Sequence, residues 1–93
     1  TAGTITRASE ALKEAGAVEV YAACTHPILS SPAVNRLEKS VIKEVVTLNT
    51  IELTKDKQSS KIKQLSIAPL LGQGILNIIL DRPLSALFDP KKE

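Results

Sequence analysis

The sequence has no tryptophan and no methionine, and its 93 residues hold a single cysteine, histidine, tyrosine and phenylalanine. Each scarcity excludes something. Tyr21 and Phe88 alone cannot build the stacking platform of a single-strand binder, and a net charge of +2 gives no basic field for nucleic acid. One cysteine, Cys24, cannot close an internal disulfide; inside an apolar run it reads as a buried, reduced thiol of an intracellular protein. One histidine, His26, with Cys24 two residues before it and no acids at ligand spacing, does not make a metal site. No apolar stretch approaches the roughly 20 residues that span a bilayer, and no basic segment leads into an apolar one as in a secretion signal. A soluble, cytoplasmic protein without nucleic-acid or membrane partners is expected. The lack of methionine, with an opening that falls inside a turn, leads us to expect a fragment or processed piece of a longer chain.

What is present has α/β periodicity. From Thr4 to Ala15, Ile5, Ala8, Leu12 and Ala15 recur at helical spacing and predict the buried stripe of a helix stopped by Gly16. Ala17 to Cys24 is a nearly continuous apolar run, the pattern of a parallel strand covered on both faces. A loop with two prolines follows. Ser31 is placed to cap a helix with Pro32 in its first turn, burying Val34, Leu37, Val41 and Ile42. Glu44 to Thr50 predicts a second strand, Thr54 to Ser60 a polar linker, and Lys61 to Ala68 a third strand nearer an edge. Pro69 opens a last helix, with Leu71, Ile75, Ile78 and Ile79 on one side and Gly72 and Gly74 weakening it by about 1 kcal/mol each. Arg82-Pro83 ends that helix, and the apolar tail Leu84 to Phe88 needs a docking place. The order predicts an α/β fold with a mainly parallel sheet flanked by helices. Three strands leave sheet surface and an edge uncovered, so further strands from a missing N-terminal portion or from a partner are expected.

The stretch most suggestive of chemistry is Thr1-Ala2-Gly3-Thr4-Ile5-Thr6. A small-residue turn feeding a helix leaves amides unpaired at the positive end of the helix dipole, with threonine hydroxyls beside them, and such an arrangement binds phosphate. Ordinary capping explains the same residues, and the turn alone does not separate the two readings. Other candidates are weaker. His26 fits a loop histidine bonded to backbone, Ser30 and Ser31 fit capping, and Lys55, Lys57, Lys61 and Lys63 fit a solvated linker and strand. The carboxylates are scattered singly. No nucleophile and base pair by spacing, and neither Gly-x-Gly-x-x-Gly nor a Walker A motif is present. No catalytic or metal-ligating residue is assigned.

A resemblance adds to this reading. Thr1-Ala2-Gly3-Thr4-Ile5, Val20 to His26, Ser30-Ser31-Pro32-Ala33, Asn49-Thr50-Ile51, Lys61-Ile62 with Leu65 to Ala68, and Leu84 to Phe88 stand in the order and spacing of the C-terminal end of the ribose-phosphate diphosphokinases, also called phosphoribosyl pyrophosphate (PRPP) synthetases. The chain resembles that family almost end to end. The resemblance implies the C-terminal portion of a type I phosphoribosyltransferase-like domain over residues 1–93. It also implies transfer of the diphosphate of ATP to ribose 5-phosphate, giving PRPP and AMP. Mg²⁺ would be held mainly by residues outside this segment, and the enzyme would be a homo-oligomer, commonly a hexamer. Thr1, Ala2, Gly3 and Thr4 then become the ribose 5-phosphate cradle.

The departures carry weight too. The family's Asp-Asp-x-x-Asp run, which precedes Thr-Ala-Gly-Thr, is absent, as are the N-terminal domain, the ATP site and the catalytic loop, so this segment is expected to be inactive alone. Ser30-Ser31-Pro32 replaces the usual Ser-Gly-Pro. Of two serines that help form a phosphate and ADP regulatory site in many members, Pro83 replaces the first and Ser85 keeps the second, or caps the final turn. A non-catalytic associated regulatory or assembly subunit, or a fold relative acting on another sugar phosphate, are the competing readings.

Overall fold

The structure, a computed structural model, describes residues 1–88. Three helices and three strands run in the order α1 (Gly3–Glu14), β1 (Val20–Cys24), α2 (Ala33–Lys39), β2 (Ile42–Leu48), β3 (Ile62–Leu65) and α3 (Ala68–Ile79), with short 3-10 turns at Lys55–Lys57 and Leu84–Phe88. The sheet order is β1-β2-β3 and both pairings are parallel, as the apolar runs predicted. Ala17, Val18 and Glu19 stay outside β1, and Ile42 begins β2 rather than extending α2.

Val20, Ala22, Val45 and Ile62 point to one side of the sheet, where Ala33 and Leu37 of α2 and the loop residues Leu29 and Leu53 close the core. The α1 helix packs on α2 and β1, but not by its apolar stripe. Ile5 and Leu12 are 39% and 54% exposed, whereas Ser9 is 2% exposed. The buried face carries Thr6 and Ser9, whose hydroxyls are satisfied locally: Ser9 Oγ donates to the Thr6 carbonyl at 2.6 Å. A small hydroxyl bonded within its own helix packs like an alanine, which is why apolar spacing misplaced this face.

The α2 helix is capped differently from the expectation. Ser31 makes no capping bond; Ala33 N–H donates to the Ser30 carbonyl at 2.7 Å instead. At its other end Lys61 Nζ donates to the carbonyls of Leu37 and Ser40 at 3.1 and 3.0 Å, a cation placed at the negative end of the helix. This lysine staples β3 to α2 instead of merely solvating a linker.

The opposite sheet face is bare among the described residues, contrary to the two-sided cover expected for β1. Tyr21 and Leu65 are each 56% exposed there, and Cys24, at the end of the edge strand, is exposed rather than buried. The α3 helix packs chiefly on the Leu84–Phe88 turn and not on the sheet, so Leu71, Ile75, Ile78 and Ile79 remain exposed. Asn77 fixes that turn: it receives a bond from Gln73 Nε2 at 2.8 Å, donates to the Pro83 carbonyl at 3.2 Å, and is buried. The resulting Cα radius of gyration is 16.7 Å, against about 12 Å for a compact domain of this length.

Register shifts between Val20 and Tyr21, whose partners are Ile42 and Glu44, and this bulge leaves Lys43 out of the ladder. Lys43 Nζ is thereby free to meet Glu19 at 2.8 Å, and Tyr21 Oη donates to the same carboxylate at 2.6 Å. The bond from Lys43, then that from Tyr21, holds Glu19 below its ordinary value; the carboxylate pushes Tyr21 above its own. The stabilisation Tyr21 gains is present at neutral pH and is lost as pH rises through its raised value.

With one tyrosine and no tryptophan, an ultraviolet titration reads Tyr21 alone. We expect a midpoint above 10.0 that returns toward it in Glu19→Gln; the same midpoint in both proteins would refute the contact. A second test concerns Thr47, 1% exposed, whose Oγ1 is buried without a hydrogen-bond partner among the described residues. Thr47→Val should raise unfolding stability by about 1 kcal/mol, measured by denaturant titration, because it removes an unpaired buried hydroxyl at nearly constant shape.

Candidate anion-binding site

The opening turn owes its form to one residue. Ala2 has φ 62° and ψ 10°, a left-handed conformation costing a non-glycine residue about 1 kcal/mol, and right-handed helix follows from Gly3. A left-handed residue next to right-handed ones turns consecutive N–H groups into one concavity, a backbone nest for an anion. The first helical bond is Thr6 N–H to the Ala2 carbonyl at 3.1 Å, so the amides of Gly3, Thr4 and Ile5 lie ahead of it. Thr6 Oγ1 locks the turn from behind, bonded to the carbonyls of Ala2 and Gly3 at 2.8 and 3.0 Å.

This turn forms one wall of an open crevice of about 460 Å³. Thr1, Gly3 and Thr4 line it with Thr6, Arg7 and Glu10 of α1 and Arg36, Lys39 and Ser40 from the end of α2. Three cations against one carboxylate give it a positive field, reinforced by the dipole of the 12-residue α1. Arg36 Nη1 donates to the Thr1 carbonyl at 3.3 Å. Of the expected cradle, Thr1, Gly3 and Thr4 meet in the crevice, while the half-buried Ala2 shapes it. Arg7, Arg36 and Lys39 were missed; Arg36 and Lys39 share a helical face by spacing, but only the packing of α2 on α1 brings them to the turn.

The remaining candidates lie elsewhere. Ser85 is exposed on the Leu84–Phe88 turn and does not line the crevice. His26 is exposed and bonds a side chain rather than backbone: its Nδ1 lies 2.8 Å from Thr50 Oγ1. The same hydroxyl lies 3.1 Å from the Thr25 carbonyl, so Thr50 links the histidine to the end of β1. The hollow beside Ser31 also contains Glu38 and Asp56, and the Thr54 hydroxyl bond keeps Asp56 below its ordinary value. Two carboxylates against the single cation Lys57 make that hollow a poor anion site. Among the described residues no three of His, Cys, Asp and Glu converge on one point, so these donors do not fit a resident Mg²⁺.

A parallel α/β layer with an amide nest and a basic crevice at its opening turn defines a unit suited to a compact oxyanion such as a phosphate. The chain belongs to the phosphoribosyl synthetase-associated domain family, whose profile matches residues 1–89. It is 57% identical over 93 residues to ribose-phosphate pyrophosphokinase 1 of Streptococcus pneumoniae, which takes in all of this chain and 29% of that protein. It is 57% identical over 89 residues to the corresponding protein of Lactococcus lactis, covering 96% of this chain and 28% of the relative. The solved phosphoribosylpyrophosphate synthetase of Mycobacterium smegmatis superposes with a TM-score of 0.83 at 42% identity, over 87% of this chain and 27% of that one. The chain thus spans less than a third of the length of these relatives.

If the left-handed turn is a strained device, Ala2→Gly should stabilise the fold by about 0.5–1 kcal/mol, whereas Ala2→Val should destabilise it by more. Equal denaturation midpoints for the two variants would show that the turn carries no such strain.

Proposed function

We propose that this chain is the C-terminal part of a ribose-phosphate diphosphokinase, residues 1–93 completing one phosphoribosyltransferase-like domain, and that Thr1, Ala2, Gly3 and Thr4 hold the 5-phosphate of ribose 5-phosphate. The observation that carries this is the nest at Ala2, opening onto a crevice flanked by Arg7, Arg36 and Lys39. The amides of Gly3 and Thr4 donate to phosphate oxygens, the hydroxyls of Thr1 and Thr4 add donors, and the three cations balance the charge. The parent enzyme passes the diphosphate of ATP to the 1-hydroxyl of the sugar, releasing AMP and forming PRPP for nucleotide biosynthesis. This segment supplies an anchored substrate: fixing the 5-phosphate leaves the 1-hydroxyl in one place, and phosphoryl transfer depends chiefly on such positioning. Mg²⁺ supplies charge neutralisation from outside the described residues, and the segment alone is inactive.

In the same reading the bare sheet face and the apolar side of α3 are covered by the rest of the parent chain or by neighbouring subunits of a cytoplasmic homo-oligomer, a hexamer by resemblance. Ser85, with Pro83 in place of a second serine, is a reduced contact for phosphate or ADP as effector. A second reading, a non-catalytic associated subunit, is favoured by the description of the family profile. Turnover by the purified parent chain without another subunit would exclude it.

The test is calorimetric titration of the full-length parent with ribose 5-phosphate. Gly3→Val should weaken that binding at least about tenfold and leave ATP binding within about twofold, because a β-branched side chain blocks the backbone approach. Unchanged ribose 5-phosphate affinity in the variant would remove the turn from the site.

A further inference from the structure

We infer that Arg36 is the positioning residue of the opening turn, and that a side chain at Gly3 would press on the Arg36 guanidinium. This rests on the ribose 5-phosphate reading of the same turn. Two observations on opposite sides of the group carry it. Arg36 Nη1 donates to the Thr1 carbonyl at 3.3 Å, and an ideal Cβ built on Gly3 would stand 3.0 Å from that same nitrogen. The guanidinium therefore spans Ala2 from Thr1 to Gly3, across the left-handed residue of this turn. Relieving that contact moves the arginine tip by a few tenths of an ångström, which lengthens its bond to Thr1.

Elements far apart in sequence are joined by this bond, residue 1 to residue 36. Loop turns are otherwise fixed by local bonds, and here those come from Thr6 and reach only Ala2 and Gly3. Arg36 alone among the described side chains bonds Thr1, so it sets where the first amides point before substrate arrives. Preorganisation of this kind appears in substrate binding, not in the chemical step.

A double-mutant cycle in the full-length parent enzyme tests the coupling. Steady-state kinetics on Gly3→Ala, Arg36→Ala and the double variant should show each single change raising KM for ribose 5-phosphate about five- to tenfold, with kcat and KM for ATP within about twofold. In the Arg36→Ala background, Gly3→Ala should add less than about twofold, because the obstructed atom is gone. Arg36→Gln, which keeps an amide donor, replaces Arg36→Ala if the latter fails to fold by circular dichroism. Unchanged KM on removing Arg36, or two fold-changes that simply multiply, would overturn the inference while leaving the site standing. Absence of saturable ribose 5-phosphate binding by the wild type would overturn the site itself.

Discussion

The central strand carries the architecture. β2 is hydrogen-bonded to both neighbours, and Ile42, Val45 and Thr47 along it are almost fully sealed from solvent. Both pairings being parallel, the loops after β1 and β2 leave the same end of the sheet, where the bond between His26 and Thr50 ties one to the other. The connection from β1 back to β2 runs through α2, whose Ala33 and Leu37 lie in the core, so the depth of that helix is set by β2 as well. Arg36 and Lys39, on the side of α2 away from the core, then reach the crevice without freedom to choose another place. A seven-residue helix gains little from its own hydrogen bonds, and its position comes from packing and from the lysine at its end.

The basic crevice is thus a product of tertiary contacts acting on a turn with a local cause. Ala2 in the left-handed region and the back-bonds of Thr6 give the turn its shape; α2 supplies two of the three cations beside it. The nest is a feature of backbone dihedrals and needs no particular side chain at Ala2 beyond a small one. The field joins Arg7, a turn further along α1, to Arg36 and Lys39, more than thirty residues away. The two meet at Thr1, whose carbonyl takes a bond from α2 just ahead of the amides that precede the first helical bond.

That division explains what could be read from the sequence. The succession of elements, the parallel sheet and the helix beginning at the opening turn follow from apolar runs and periodicity, which record local burial. The buried face of α1 was misread because Thr6 and Ser9 hide their polarity by bonding within the helix, something periodicity does not encode. Cys24 was misplaced since an apolar strand end looks the same whether or not anything covers it. The opening turn was legible as a candidate motif, whereas Arg36 looks like any solvated arginine until α2 is docked on α1.

The uncovered apolar surface decides how far this geometry stands by itself. Tyr21, Leu65, Leu71, Ile75, Ile78 and Ile79 each keep more than half of their surface in water. Covering a large apolar side chain contributes about 1.5–3 kcal/mol, so these six together hold on the order of 10 kcal/mol, comparable with the whole stability of an ordinary domain. None of that surface borders the crevice, and the core under α1 and α2 is formed without it. Whatever covers the bare face and α3 therefore adds to the stability of the sheet, and only through the sheet to the turn. Its effect is to keep β2 folded, while the shape of the nest stays a matter between Ala2, Thr6 and Arg36.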